Sequence, residues 1–159
     1  MRKQMAAAVL VGVLGLAGTG LTAQVARFGP QIDFGTNSLN LGIGGRIDLG
    51  LAKSFGAPLT GVGSFDYFFG TSGVHFWEIN ANLFYNFTVP KSNITPYAGG
   101  GLDILGASCT GCGSSTSGGL NLGGGLKFKL PHSKMTPYVE ALLQLHSGSD
   151  LLLTGGILF

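Results

Sequence analysis

The sequence predicts an all-β chain, an eight-stranded antiparallel up-and-down transmembrane β-barrel, and three observations carry that expectation. The chain is apolar, with 45% hydrophobic and only 10% charged residues, yet past its N-terminus it holds no run long enough for a membrane helix. Its hydrophobicity alternates with a period of two in short stretches, and turn residues separate those stretches. Lipid offers no partner to a backbone N–H or C=O, so strands can cross it only when they pair all the way round.

Arg2 and Lys3 precede an apolar run from Met5 to Ala17, followed by small residues that end Leu21-Thr22-Ala23. Residues 1–23 read as a secretory signal peptide with cleavage after Ala23, and 24–159 as one barrel domain. No cysteine stands at the cleavage point to make a lipoprotein. Without Arg2 and Lys3, seven basic residues face seven acidic ones, a balance that gives no basis for nucleic-acid binding.

Strands are expected at about 25–35, 38–52, 59–69, 75–87, 95–107, 118–130, 136–147 and 149–159. In the second, Leu39, Leu41, Ile43, Ile47, Leu49 and Leu51 share one parity, with Asn40, Arg46 and Asp48 on the other. The fourth sets Trp77, Ile79, Ala81, Leu83, Tyr85 and Phe87 against Glu78, Asn80, Asn82 and Asn86. The sixth sets Leu120, Leu122, Leu126, Phe128 and Leu130 against Asn121, Lys127 and Lys129, and the seventh Val139, Ala141, Leu143 and Leu145 against Glu140, Gln144 and His146. A soluble sandwich would alternate too, but its polar face would be densely charged. Here that face is glycine and asparagine with a few charges of both signs, as suits a crowded lumen.

The connections alternate in kind. Those at 52–58, 89–96 and 130–137 contain proline and lysine and are assigned to the periplasmic side, while those at 35–38, 70–74, 108–118 and 147–149 are built from small polar residues and face outward. On this topology aromatic residues collect at two levels, as membrane interfaces favour. Phe65, Tyr67, Phe69, Phe76 and Trp77 fall at the outer end, and Phe28, Phe84, Tyr85, Phe87, Tyr97, Phe128, Tyr138 and Phe159 at the inner end. Thr95-Pro96-Tyr97 and Thr136-Pro137-Tyr138 each open a strand after a lysine-bearing turn, a weak internal repeat.

With the signal peptide, the stretch Pro96-Tyr97-Ala98-Gly99-Gly100-Gly101-Leu102 and the ending Gly156-Ile157-Leu158-Phe159, the chain resembles the small outer-membrane β-barrel domain family, the OmpA/OmpX-like group, over essentially all of 24–159. The resemblance implies residence in the cell outer membrane of a Gram-negative-type bacterium. It implies outer-membrane lipid and lipopolysaccharide as surroundings, and contact with the export machinery through the signal peptide and with the barrel-assembly machinery through the terminal Phe159. It implies a monomer without cofactor. No peptidoglycan-binding domain follows Phe159 in this sequence, so that role of OmpA-type proteins is not carried over.

Inward parity gathers Asp33, Arg46, Asp48, Asp66, Glu78, Asp103, Lys127, Lys129 and Glu140 in a narrow lumen. There they are expected to pair as a structural network, with a gated conduction path as the functional alternative. Cys109 and Cys112 fall in the longest outer loop, and in an exported protein an oxidised pair is expected. A thioredoxin-type motif would need a helix and a βαβ setting, and a metal site needs further ligands.

His146-Ser147-Gly148-Ser149 bears a poor resemblance to the site of eight-stranded lipid A deacylases, with Glu140 six residues away and Asp150 in the turn itself. It reads as a polar hairpin tip, and His75 and His132 as interface and turn residues. Glycine triplets at 99–101 and 123–125 lack the Lys-Ser/Thr of a phosphate loop and read as aids to strand coiling. The function expected is a structural or surface-interaction barrel, non-enzymatic, with its lumen plugged. The alternatives are a narrow channel or transporter for small solutes, apolar ones included as in the OmpW-like barrels, and a lipid A-modifying enzyme.

Overall fold

The computed structural model describes residues 26–36, 39–70, 74–109, 113–146 and 149–159. The expected signal peptide, together with Cys112, Ser147 and Gly148, lies outside the described residues. The strands are β1 (Ala26–Gly35), β2 (Asn40–Gly50), β3 (Leu59–Phe69), β4 (Val74–Asn86), β5 (Ile94–Cys109), β6 (Gly113–Phe128), β7 (Thr136–Leu145) and β8 (Ser149–Leu158), with one short helix, α1 (Ala52–Phe55), between β2 and β3. Each strand pairs antiparallel with the next, and β8 returns to β1 to close the barrel. One face of the strands turns outward with exposed Phe28, Ile32, Ile43, Phe65, Leu83, Leu102, Leu122, Val139 and Leu153, so the exterior is an apolar belt. On a water-soluble protein a belt of this extent would be an aggregation surface, whereas around a closed barrel it is the surface lipid covers.

Strand ends fall within two residues of the sequence expectation, save the start of β6. The β5–β6 ladder runs on to Cys109↔Gly113, so the loop expected at 108–118 shrinks to 110–112, outside the described residues. Serine, threonine and glycine at 113–119 have loop composition, and the partner strand overrides it. A second difference lies at the start of β2. Asn40 takes a left-handed conformation with φ 50°, which breaks the alternation there. Leu39, expected against lipid, is buried in the outer end of the lumen, and Asn40, expected inside, is exposed.

The internal repeat is longer in three dimensions than in its Thr-Pro-Tyr signature. The turns 89–92 and 130–133 both place proline second and a residue with positive φ third, Lys91 at 61° and His132 at 62°, and both close with a hydrogen bond of 3.3 Å. This is the geometry of a type II turn. Ser92 Oγ and Ser133 Oγ then each accept the amide N–H two residues on, both at 3.0 Å.

Glycine has a specific use in the barrel wall. The inward rings of Tyr97, Tyr138 and Phe68 lie directly across the ladder from Gly125, Gly156 and Gly42, and the outward Trp77 lies across from Gly106. A Cβ on Gly156 would stand 2.6 Å from the Tyr138 oxygen, and one on Gly125 would stand 2.6 Å from the Tyr97 oxygen and 2.1 Å from the Val139 carbonyl oxygen. A ring that reaches over its neighbour strand therefore needs a partner without a side chain. Substituting Gly156→Val should lower stability by about 1–3 kcal/mol through overpacking, read as a lower urea midpoint in equilibrium unfolding. An unchanged midpoint would mean that the Tyr138 ring relocates freely.

Candidate functional site in the barrel lumen

Alternation places polar residues from all eight strands inside, where they form two groups along the axis. The inner group centres on Arg46 of β2, which is 3% exposed. Its Nε donates to Asp48 Oδ1 at 2.6 Å and its Nη1 to Glu140 Oε2 at 2.7 Å, while Lys127 Nζ donates to Asp48 Oδ2 at 2.6 Å. The guanidinium lies 4.4 Å from the Tyr138 ring centroid and 5.8 Å from that of Tyr97, and Lys127 Nζ is 5.0 Å from Tyr97. Tyr97 in turn donates to Glu140 Oε2 at 2.8 Å. Two cations, two carboxylates and two aromatic faces thus meet, the arrangement that makes buried charge tolerable, with Arg46 Nη2 left without a hydrogen-bond partner among the described residues.

Toward the outer end the chemistry changes. Asp33 accepts from Thr154 Oγ1 at 2.6 Å, and Asp66 accepts from Gln31 Nε2 at 2.6 Å, Ser64 Oγ at 2.8 Å and Asn80 Nδ2 at 3.3 Å. Glu78 accepts from Gln144 Nε2, and Asp103 meets His146 Nε2. Asn121 Nδ2 joins the set by donating to Asn80 Oδ1 at 2.7 Å, and Tyr138 donates to Gln31 Oε1 at 2.7 Å, which ties the two groups together. Four carboxylates are held there by neutral amides and hydroxyls and one imidazole. Phe68, Phe84, Leu142 and Leu152 fill the remaining space. A void of about 10 Å³, lined by Gln31, Arg46, Asp66, Asn80 and Glu140 among others, is room for roughly one water.

Eight of the nine charged residues expected in the lumen lie in these two groups. Lys129 does not: β6 ends at Phe128, and Lys129 stands exposed at the inner mouth with no ion pair among the described residues. The expected girdles need correction as well. Phe65, Tyr67, Tyr85, Phe87 and Phe159 are exposed on the belt, and Trp77 and Phe128 are half-buried in it. Tyr97, Tyr138 and Phe84 are buried in the lumen. The signal for this was present, since Tyr138 has the parity of Glu140 and Phe84 that of Glu78 and Asn82.

Sequence reasoning also missed the neutral donors Gln31, Ser64 and Thr154, because no charge marks them, and it gave Asn80 and Gln144 inward parity without their carboxylate partners. It missed the Asp103–His146 pair, whose members are 43 residues apart, Asp103 on β5 and His146 just past the end of β7. Cys109, the last residue of β5, is disulfide-bonded.

No family model matches the chain, and no curated protein matches it. Solved structures do. The N-terminal β-barrel domain of Pseudomonas aeruginosa OprF superposes with a TM-score of 0.66 at 17% identity, over 84% of this chain and 96% of that one. The chain has the fold of the small eight-stranded outer-membrane β-barrels. Neisserial surface protein A is similar with a TM-score of 0.59 at 17% identity, over 84% of this chain and 94% of that one. Ail, the attachment invasion locus protein of Yersinia pestis, is similar with a TM-score of 0.54 at 17% identity, over 84% of this chain and 96% of that one. With its apolar belt, this barrel is built to sit in a membrane.

Removing the Arg46 charge by Arg46→Met would leave Glu140 and Asp48 buried without their principal cation. A loss of about 3–5 kcal/mol is expected, read by urea unfolding of the barrel in lipid vesicles. Lys127→Met, nearer the mouth, should cost clearly less. Equal small losses in both variants would contradict the arrangement.

Proposed function

We propose that the chain is a non-enzymatic protein of the outer membrane whose lumen is closed by its own side chains, and whose role is structural or is exercised through its outer rim. The observation that supports this reading is the packed middle of the lumen, where the described residues leave a void for about one water beside Arg46 and Glu140. The lumen discriminates between the structural and the transport readings, because a carrier or channel needs a continuous void past Arg46 and Glu78. Two similar barrels lend further support by their names, one a surface protein and one an attachment protein.

A lipid-modifying activity draws no support from His146. Its ring reaches inward to Asp103, away from the lipid-facing surface where an acyl chain would arrive. A histidine poised for attack on lipid would have to present its free nitrogen outside the barrel.

The purified protein in a planar bilayer, once heat-dependent gel mobility establishes that the barrel is folded, is expected to give no discrete openings. Reproducible openings whose conductance changes with Glu78→Gln or Lys127→Gln would replace this reading with transport.

A further inference from the structure

The inner mouth of the barrel, the end where β1 begins and β8 ends, opens into a cavity of about 220 Å³. Three cations line it, Arg27, Lys127 and Lys129, against a single carboxylate, Asp48. That carboxylate is already engaged at both oxygens, Oδ1 by Arg46 Nε and Oδ2 by Lys127 Nζ, each at 2.6 Å. Arg27 commits one N–H to Thr136 Oγ1 at 2.7 Å, and Lys129 makes no ion pair among the described residues. The cavity therefore carries positive charge that no described protein group answers.

The uncharged groups point the same way. Thr136 Oγ1 accepts from Arg27, and Thr60 Oγ1 accepts from Asn86 Nδ2 at 2.8 Å. Each hydroxyl thus still has its own proton to donate, and no acceptor takes it among the described residues. Thr95 adds a third hydroxyl to the lining. Several N–H and O–H donors around one chamber, with its carboxylate already engaged, make a complement to a compact phosphate oxyanion carrying one or two negative charges.

We infer that the inner mouth is a binding site for a phosphate-type oxyanion. Arg27 and Lys129 supply charge from the rim, Lys127 supplies it from the wall, and Thr60 and Thr136 supply short neutral hydrogen bonds. Arg46, Asp48 and Glu140 close the barrel behind the cavity, so the anion docks there and does not pass. The phosphate could be free or could belong to a phosphodiester headgroup; the recognition chemistry is shared.

The test is titration of the purified barrel in uncharged detergent at low ionic strength, first with inorganic phosphate and then with glycerophosphoglycerol, a soluble phosphodiester. Amide chemical shifts of Thr60, Thr95 and Thr136 report the site. Saturable shifts are expected, with Arg27→Gln and Lys129→Gln each weakening affinity about tenfold, as the loss of one charge-assisted hydrogen bond implies. Lys53→Gln, outside the cavity lining, should leave affinity unchanged.

Tighter binding of phosphate would assign the free dianion, and tighter binding of the diester a lipid headgroup; either supports the site. Both basic residues are exposed and outside the ion-paired core, and heat-dependent mobility reports that each variant is folded. The inference is overturned by shifts that do not saturate with either probe, or by an affinity in the folded Arg27→Gln/Lys129→Gln double variant equal to that of the parent protein.

Discussion

An eight-stranded barrel is just wide enough to be filled by its own side chains, and a membrane around it removes the usual outlet for polar groups. Every inward side chain must then find its partner across the lumen. Arg46 is the residue on which this condition bears hardest, because a guanidinium cannot shed its charge. It is met by Asp48, Glu140 and the faces of Tyr138 and Tyr97. The partners come from β2, β5 and β7, so the cluster ties together strands that the backbone ladder leaves far apart.

The rest of the interior follows from where that cation sits. Near it, carboxylates are ion-paired; beyond it, Asp33, Asp66, Glu78 and Asp103 depend on amides, hydroxyls and one imidazole. The tyrosines that shield the cluster need glycine across the ladder, which accounts for Gly125 and Gly156. The same cluster closes the lumen, and it leaves the cations of the inner mouth facing outward into an open cavity.

Much of the fold was legible in the sequence because a period-two pattern maps directly onto the two faces of a strand. Strand number, order and most boundaries came from alternation in β2, β4, β6 and β7 and from proline-bearing turns. What failed did so where a local signal competed with alternation. Aromatic residues near a predicted interface were assigned to lipid, though Tyr97, Tyr138 and Phe84 carried inward parity. A positive φ at Asn40 shifted Leu39 inside, which no pattern announces. Lys129 followed parity past the end of its strand. The cluster itself was only half legible: parity named its charged members, but which acid meets which cation depends on register and on the rotation of strands around the barrel. The Asp103–His146 pair is of this kind.

The account's central claim is that Arg46 and Glu140 act as one unit within a packed lumen, and a double-mutant cycle tests it most directly. Stability of Arg46→Met, Glu140→Gln and the double variant would be measured by urea unfolding in the same lipid. The account predicts that the double variant loses less than the two single losses together, by at least about 1 kcal/mol, since each single change leaves a buried group unanswered. Additivity within about 0.5 kcal/mol would mean that the two residues are uncoupled and would contradict the account.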